Sequence, residues 1–231
     1  MFALVPDSQR RRIDELDDRL DLSTGDSAAK RSAFWIMLVL SAVIAVAGVA
    51  GDSTATVIGA MIVAPLSTPI LGIGLGIVRG RPTLLLTSLG YVVAGMIVVV
   101  ILGVALSQLL PNPTNVLSNS QVLGRTSPTL DDLLAAVATG LVGAIAVCRR
   151  DVGDVLPGVA IAISLVPPLG VVGVCLGSGA PSLALGAWIL FASNVVAMVI
   201  TSVIVLTIAG YGREVAAGVD DPAGRRHGRA Y

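Results

Sequence analysis

Six apolar runs, each long enough to cross a bilayer, constrain the fold of this chain more than any other feature of its sequence. A membrane-spanning helix needs about 20 mostly apolar residues to cross roughly 30 Å of hydrocarbon. With 55% hydrophobic and only 13% charged residues, the chain of 231 residues also carries too little polar surface for a soluble domain. We therefore predict an all-α polytopic membrane protein whose main partner is the lipid bilayer. The six predicted transmembrane helices cover residues 33–51, 55–78, 84–110, 128–148, 155–177 and 183–209.

Local sequence at three of these spans predicts how their helices begin. In the fourth, Ser127 is placed to cap the helix, Pro128 suits the first helical position and Asp131 falls in the first turn. Acidic and hydroxyl residues precede the second and fifth spans in the same way. We expect Asp52 with Ser53, and Asp151 with Asp154, to cap those two helices rather than to perform chemistry.

The positions of the basic residues predict how the spans cross the membrane. If the N-terminus lies in the cytoplasm, fourteen of the fifteen Lys and Arg residues fall on the cytoplasmic side, and only Arg125 falls outside. Basic residues concentrate in cytoplasmic loops, so this distribution is a strong orientation signal. We predict cytoplasmic segments at 1–32 and 210–231 and an external loop at 111–127.

The N-terminal segment carries a short amphipathic helix. Ile13, Leu16 and Leu20 share one face, and Glu15 stands four residues before Arg19. A solvated or interfacial helix is the simplest interpretation, and a partner-binding or oligomerising helix is the alternative. The segment lacks the short apolar core and small-residue cleavage site of a signal peptide, so we expect the first apolar run to stay in the membrane.

The chain contains an internal repeat. Sliding the sequence against itself by 99 residues aligns 41–104 with 140–203 and gives 16 identities in 64 positions without a gap. Composition alone accounts for about 6 matches. We therefore predict two transmembrane repeats, at 33–110 and 128–209. Matched pairs that a general apolar bias does not explain are Asp52 with Asp151, Gly59 with Gly158, Pro69 with Pro168, Gly80 with Gly179, and Pro82 with Pro181.

Each repeat holds three predicted spans, and an odd number of spans inverts the second repeat relative to the first. The charges agree with this inversion. Arg79 and Arg81, in a cytoplasmic turn of the first repeat, align with Ser178 and Ala180 in an external turn of the second. The predicted fold is therefore a 3+3 inverted-topology repeat of six spans.

Paired prolines are expected to break the second and fifth helices. Pro65 and Pro69 lie near the middle of the second span, and Pro167 and Pro168 lie at the matching place in the fifth. A proline removes an amide donor and clashes with the preceding turn. Freed backbone groups persist in a membrane only where protein or water supplies partners, so both breaks should face the interior. Proline kinks that only shape packing are the alternative, but paired breaks in inverted repeats are typical of transporter substrate sites.

The breaks, together with one central amide, define a candidate substrate-binding site. Asn194 lies near the centre of the sixth span, and burying its amide without partners costs roughly 2–7 kcal/mol. A hydrogen bond that only joins two helices is an equally good account of Asn194. The candidate site residues are Pro65, Ser67, Thr68, Pro69, Ser164, Pro167, Pro168 and Asn194.

Several function classes find no support in the sequence. No Asp, Glu, Lys, Arg or His lies deep in any predicted span, which disfavours an antiporter with a buried carboxylate. The spans offer no histidine cluster, no paired aspartates and no serine with an embedded base, so we predict no enzyme, catalytic residue, metal site or cofactor. Cys148 and Cys175 are separated by one predicted crossing, too far for a disulfide. The basic run 10–12 is balanced by nearby acids, so we expect no nucleic-acid partner.

Four motifs connect the chain to a known family: VIGAMIVAPL at 57–66, RTSPTL at 125–130, LPGVAIA at 156–162 and LVPPL at 165–169. With these motifs the chain resembles the bacterial hydrophobic-domain membrane proteins grouped as domain of unknown function 389, over roughly residues 33–210. The resemblance implies a multi-pass protein of the bacterial plasma (inner) membrane. It brings no established substrate or activity with it.

Two functions from different classes remain. The repeat and its paired breaks favour a transporter or channel for a small solute, with its site between the inverted halves. The alternative is a non-transporting membrane scaffold or signalling subunit whose N-terminal helix recruits a partner. Small residues such as Gly72, Gly74 and Gly76 predict close helix packing and a homo-oligomer under either hypothesis.

Overall fold

The computed structural model describes residues 5–6, 8–109, 116–152 and 165–212, and within these ranges the chain is a bundle of α-helices. This architecture confirms the predicted all-α fold. The helices in these ranges are α1 (Ile13–Leu20), α2 (Ser27–Ala50), α3 (Thr54–Val63), α4 (Ser67–Val78), α5 (Pro82–Leu109), α6 (Ser120–Thr126), α7 (Leu130–Cys148), α8 (Val166–Gly177) and α9 (Pro181–Ile208).

Four of these helices, α2, α5, α7 and α9, are long and apolar enough to cross a membrane. Helices α3 and α4 supply a fifth span if they are counted as one bent helix. The fifth predicted span, at 155–177, is described only from Leu165, where α8 contributes twelve residues. The described residues therefore form a multi-pass membrane protein with up to five spans, rather than the six that we predicted.

Caps explain why two helices begin at residues other than the predicted ones. Helix α2 begins at Ser27, six residues before the apolar run, because the Asp26 carboxylate accepts a hydrogen bond from the Ala29 amide at 3.1 Å. Helix α7 is capped by Thr129 rather than Ser127, because Thr129 and Asp132 form a reciprocal capping box that satisfies two backbone donors.

Only one of the predicted caps before the second span is confirmed. Ser53 caps α3 and accepts a hydrogen bond from the Thr56 amide. Asp52 adopts a left-handed conformation, with a φ of 47°, and its carboxylate accepts hydrogen bonds from the Ser120 hydroxyl at 2.7 Å and the Gln121 amide at 3.2 Å. These donors lower the pKa of Asp52, the Ser120 hydroxyl contributing most. Asp52 therefore binds the start of α6 instead of capping α3.

The predicted caps of the fifth span are not tested, because the start of that span lies outside the described residues. Asp151 pairs with Arg149 at 2.6 Å, and that contact lowers the pKa of Asp151. Asp154 lies outside the described residues. No described contact of Asp151 is with a helix start.

The two short helices beside the predicted breaks are the most deeply buried elements. Every residue of α4 from Pro69 to Gly76 is buried, and so is every residue of α8 from Val166 to Cys175. Helix α4 packs against α5 and α9, and α8 packs against the same two long helices and against α2. The core of the bundle is therefore built around two helices too short to cross the membrane alone.

The 99-residue register of the sequence reappears in the helices. Helices α4 and α8 have twelve residues each, helices α5 and α9 have 28 each, and in both cases the bounds differ by 99. The turns between them match as well: Gly80 and Gly179 both adopt positive φ angles, of 60° and 74°. Glycine takes this conformation readily, which explains why it stands at both turns.

Two close helix crossings are also related by this register. A Cβ atom on Gly173 of α8 would lie 2.6 Å from the Gly103 Cα of α5. A Cβ atom on Gly74 of α4 would lie 1.9 Å from the Ser202 Oγ of α9. Gly173 stands 99 residues after Gly74, and Ser202 stands 99 residues after Gly103. The 99-residue register therefore relates the crossing of α4 and α9 to the crossing of α8 and α5.

The amphipathic N-terminal helix is packed into the protein. Helix α1 lies against α4, and Leu16 and Leu20 are buried in the main apolar cluster of the bundle. This differs from the predicted solvated or interfacial helix. The apolar face was identified correctly, and the bundle itself covers it.

Polar contacts divide the structure into two ends. At one end, Arg10 forms an antiparallel bridge with Arg149, and Asp17 pairs with Arg79. We call this the basic end. The contacts of Asp52 with α6 lie at the opposite end. Three basic residues that we predicted to share the cytoplasm, Arg10, Arg79 and Arg149, therefore lie at the same end of the described bundle.

Candidate functional site

The second span is broken where proline predicts a break. Helix α3 ends at Val63, and Ala64 is extended, with φ and ψ of −67° and 122°. A residue that precedes proline avoids the helical conformation, so Pro65 forces Ala64 out of the helix. The chain restarts as α4 at Ser67, and α3 and α4 are bent by 46°.

Pro69 belongs to the first turn of α4 rather than to the break itself. The first amides of a helix have no partner within it, so a proline there removes no hydrogen bond. The Thr68 amide instead donates to the Pro65 carbonyl at 3.2 Å. Ser67 and Thr68 are both half-buried, and neither hydroxyl has a hydrogen-bond partner among the residues that the structure describes. The broken span thus exposes two free hydroxyls at the start of α4.

The matching place in the second half is described from Leu165 onward. Pro167 and Pro168 are buried in the first turn of α8, as Pro69 is in α4. Ser164 lies outside the described residues. Leu66 and Leu165, which occupy equivalent positions, are both buried in the same apolar cluster. The two helix starts therefore meet a common apolar core.

A pocket of about 320 Å³ opens beside the break. Two predicted site residues, Pro65 and Thr68, line it. Its other lining residues are Asp18, Arg19, Leu22, Lys30, Ala33, Phe34, Met37 and Val63. Helices α1 and α2 therefore complete a pocket whose polar rim meets an apolar wall.

The charged rim of this pocket was not predicted from the sequence. Lys30 pairs with Asp18 at 2.6 Å, which joins the start of α2 to α1. Arg19 is exposed and has no carboxylate partner in the described part of the chain. In the sequence, these charges stand next to an apolar run at a predicted membrane surface, and that position could have indicated the rim. The pocket therefore offers one unpaired guanidinium, a free hydroxyl at Thr68 and apolar contacts.

Asn194 is half-buried near the middle of α9 and does not line the pocket. Pro167 and Pro168 do not line it either. Within the described ranges, no three His, Cys, Asp or Glu side chains form a group that could hold a metal ion. The structure thus gathers Pro65, Thr68 and the charges of α1 and α2 around one space, with Asn194 on a different helix.

Comparison with known proteins gives a family and one relative. The family model described as Domain of unknown function (DUF389) matches residues 61–200. A protein of the archaeon Methanocaldococcus jannaschii, called uncharacterized protein MJ0678, is 31% identical over 175 residues, which are 76% of this chain and 53% of the relative. This chain therefore spans about half the length of that relative. No solved structure matches the chain.

Proposed function

This chain belongs to the DUF389 family, which carries no assigned activity, and from its structure we propose that it is a transporter or channel for a small solute. The proposed site lies at the helix break, between two inverted halves of three spans each. No catalytic step is part of this proposal.

The related crossings support the two-halves arrangement. Adding 99 to Gly74 of α4 gives Gly173 of α8, and subtracting 99 from Ser202 of α9 gives Gly103 of α5. The contact of α4 with α9 thereby becomes the contact of α8 with α5. A two-fold axis between the halves produces this exchange. With three spans in each half, such an axis lies in the membrane plane, as in many secondary transporters.

The observation that carries the proposal is the 46° break between α3 and α4 with a pocket against it. Irregular backbone is tolerated in a membrane where it is buried in protein or lines a water-filled cavity. The last carbonyls of α3 and the first amides of α4 place opposite partial charges at the same break. Together with the hydroxyls of Ser67 and Thr68, they supply donors and acceptors for a small polar solute.

The scaffold hypothesis receives less support. It needs an N-terminal helix with a free apolar face, and that face is covered by the bundle at Leu16 and Leu20. We propose that the protein lies in a plasma membrane, as the family resemblance implies. We propose that both termini are cytoplasmic, because the basic end then faces the cytoplasm. A homo-oligomer remains part of the proposal, but Gly72, Gly74 and Gly76 are buried inside the bundle and pack its own helices.

Thr68→Val tests the site with little risk to the fold. The hydroxyl has no partner in the described chain, and valine has the same shape, so thermal stability should stay within experimental error. Flux of K⁺ or Cl⁻ from proteoliposomes should fall if that hydroxyl contacts the solute. Thr87→Val is the matched control, because the Thr87 hydroxyl donates to the Thr83 carbonyl of its own helix, at 2.7 Å, on an exposed face.

Asn194→Leu separates transport from helix association. Asn194 does not line the pocket, so a loss of flux with folding nearly intact would extend the proposed site to α9. Ser193→Ala is the control and should leave both unchanged, because Ser193 already donates to the Leu190 carbonyl of its own helix. If Asn194→Leu lowers stability and flux falls only in proportion to the folded fraction, Asn194 joins helices and is not part of the site. If no proteoliposome releases K⁺ or Cl⁻ faster than protein-free vesicles, those ions are not solutes and the scaffold hypothesis gains support.

A further inference from the structure

Residues 8–22, which we call the N-terminal strap, cross the basic end of the bundle. The Arg11 amide donates to the Cys148 carbonyl at 2.8 Å, and the Arg150 amide donates to the Gln9 carbonyl at 2.9 Å. The strap thereby adds a short extended ladder to the end of α7. The strap continues into helix α1, which packs against α4.

Ion pairs fasten α1 on both sides. Asp17 accepts from Arg79 at 2.5 Å and from Arg81 at 3.1 Å. The Arg79 side chain is 2% exposed, and a guanidinium buried without a partner is strongly unfavourable. Glu15 forms a two-point contact with Arg150, and that contact lowers the pKa of Glu15. The docked strap therefore places a carboxylate against each of Arg79, Arg81 and Arg150.

These contacts reach both halves of the protein. Arg79 and Arg81 lie at the turn between α4 and α5, in the first half, while Cys148 and Arg150 lie at the end of α7, in the second. Tyr211, just after α9, donates its hydroxyl to the Arg11 carbonyl at 2.8 Å, and its ring lies 4.2 Å from the Arg10 guanidinium carbon. The strap thus connects the same end of the two halves.

We infer that the N-terminal strap is a releasable lock that holds the two halves together at the basic end. The inference rests on the proposed function, because alternating access requires the halves to move apart at this end. Among the described residues, the strap is joined to the bundle through the loop before α2. It is otherwise held by side-chain pairs, by three backbone-carbonyl contacts and by the burial of Leu16 and Leu20. Helix α1 has eight residues, too few to remain helical in water on its own, so it docks and undocks as a unit.

Release of the strap also changes the candidate site. Asp18 and Arg19 of α1 line the pocket beside Pro65 and Thr68, and Leu22 completes the same wall. Undocking removes all three side chains at once. Release of the strap therefore also opens the pocket toward the basic end.

Two native cysteines provide the test. Cys148 is fully buried beneath the strap, in the apolar cluster that contains Leu16 and Tyr211. Cys175 is also fully buried, but it lies near the far end of α8 in a second cluster that the strap does not touch. In nanodiscs, the rate at which an impermeant maleimide labels each cysteine, read by mass spectrometry, reports opening at the two places separately.

Asp17→Arg should release the strap, because it places a third cation against Arg79 and Arg81. We expect the labelling rate of Cys148 to rise about tenfold or more, with Cys175 unchanged. The exchanged pair Asp17→Arg with Arg79→Asp should return the rate close to the wild-type value. Asp131→Arg, an equal charge change at the opposite end of α7, is the matched control and should leave Cys148 protected.

The outcomes separate this inference from the proposed function. An unchanged Cys148 rate in Asp17→Arg overturns the lock, and so does labelling of Cys175 in step with Cys148, which would make the strap part of the folding core. Restored protection in the exchanged pair supports it. If Cys148 opens and closes as expected while K⁺ and Cl⁻ flux is absent from every variant, the lock stands and the transport proposal loses its support.

Discussion

Replacing Gly74 with alanine should force α4 and α9 apart, and removing the Ser202 side chain should let them close again. The alanine Cβ would lie 1.9 Å from the Ser202 Oγ and 2.9 Å from its Cβ, both well inside contact distance. Overpacking of this kind costs about 1–3 kcal/mol. The next nearest atom is the Val203 amide nitrogen at 3.5 Å, which is an ordinary contact. All of the clash therefore comes from one small side chain.

The double variant Gly74→Ala with Ser202→Gly should fold about as stably as the wild type. A glycine in a helix interior costs about 0.5–1 kcal/mol relative to alanine. The stability lost by placing glycine at 202 and the stability gained by removing it from 74 therefore nearly cancel. The coupling energy of the double-mutant cycle then equals the clash alone, about 1–3 kcal/mol. Unfolding in mixed micelles by increasing fractions of SDS, followed through Trp35 and Trp188 fluorescence, measures all four corners of the cycle.

The equivalent crossing provides a contrasting control. At Gly173 an added Cβ would meet backbone atoms of Val100 and Gly103, the nearest at 2.6 Å, so no side chain can be removed to relieve it. Gly173→Ala should therefore be destabilised, and no second side-chain substitution should restore its stability. Failure of Ser202→Gly to restore Gly74→Ala, or a Gly173→Ala variant as stable as the wild type, would refute these crossings and the two-fold relation built on them.

Two further predictions concern orientation and the end of the bundle opposite the strap. A cysteine at Thr83 should be shielded from an impermeant thiol reagent in intact cells while one at Ser178 reacts, because the basic end is predicted to be cytoplasmic; the reverse result would invert the topology. The lowered pKa of Asp52 means that its contribution to stability is complete above its unfolded pKa of about 3.9 and is lost as the pH falls through the lower folded value. Hydrogen exchange in α6 should therefore be faster in Asp52→Asn than in the wild type at pH 6, and the two should converge on acidification. A difference that persists unchanged at pH 3 would show that the carboxylate does not hold α6.

Features that depend on residues close together in the sequence could be predicted from it. The long helices follow from the apolar runs, and the break follows from Pro65 acting on Ala64. The choice of Thr129 over Ser127 as a cap was missed because both residues satisfy the simple rule. Only the reciprocal bond with Asp132 distinguishes them.

Features that depend on how helices are rotated and stacked could not be predicted in the same way. Leu16 and Leu20 indicate that one face of α1 is covered, but the pattern does not say by what. A charge comparison would have helped, since Asp17 and Arg79 are opposite charges at one predicted surface. Within the candidate site, the register places Thr68 beside Pro69, yet Thr68 faces the pocket while Pro69 is buried. That difference is set by the rotation of α4, which no spacing in the sequence encodes.

The length of the two long helices links the bundle to the thickness of its membrane. At about 1.5 Å per residue, the 28 residues of α5 and of α9 each extend about 42 Å, some 12 Å more than a typical hydrocarbon core. Each helix must tilt or extend into the headgroup layers to fit. Since the pair contacts α4 and α8 through the two glycine crossings, we expect a change of tilt in a thinner bilayer to reach both short helices. Bilayer thickness would then act on the broken span through the same crossings that close the core.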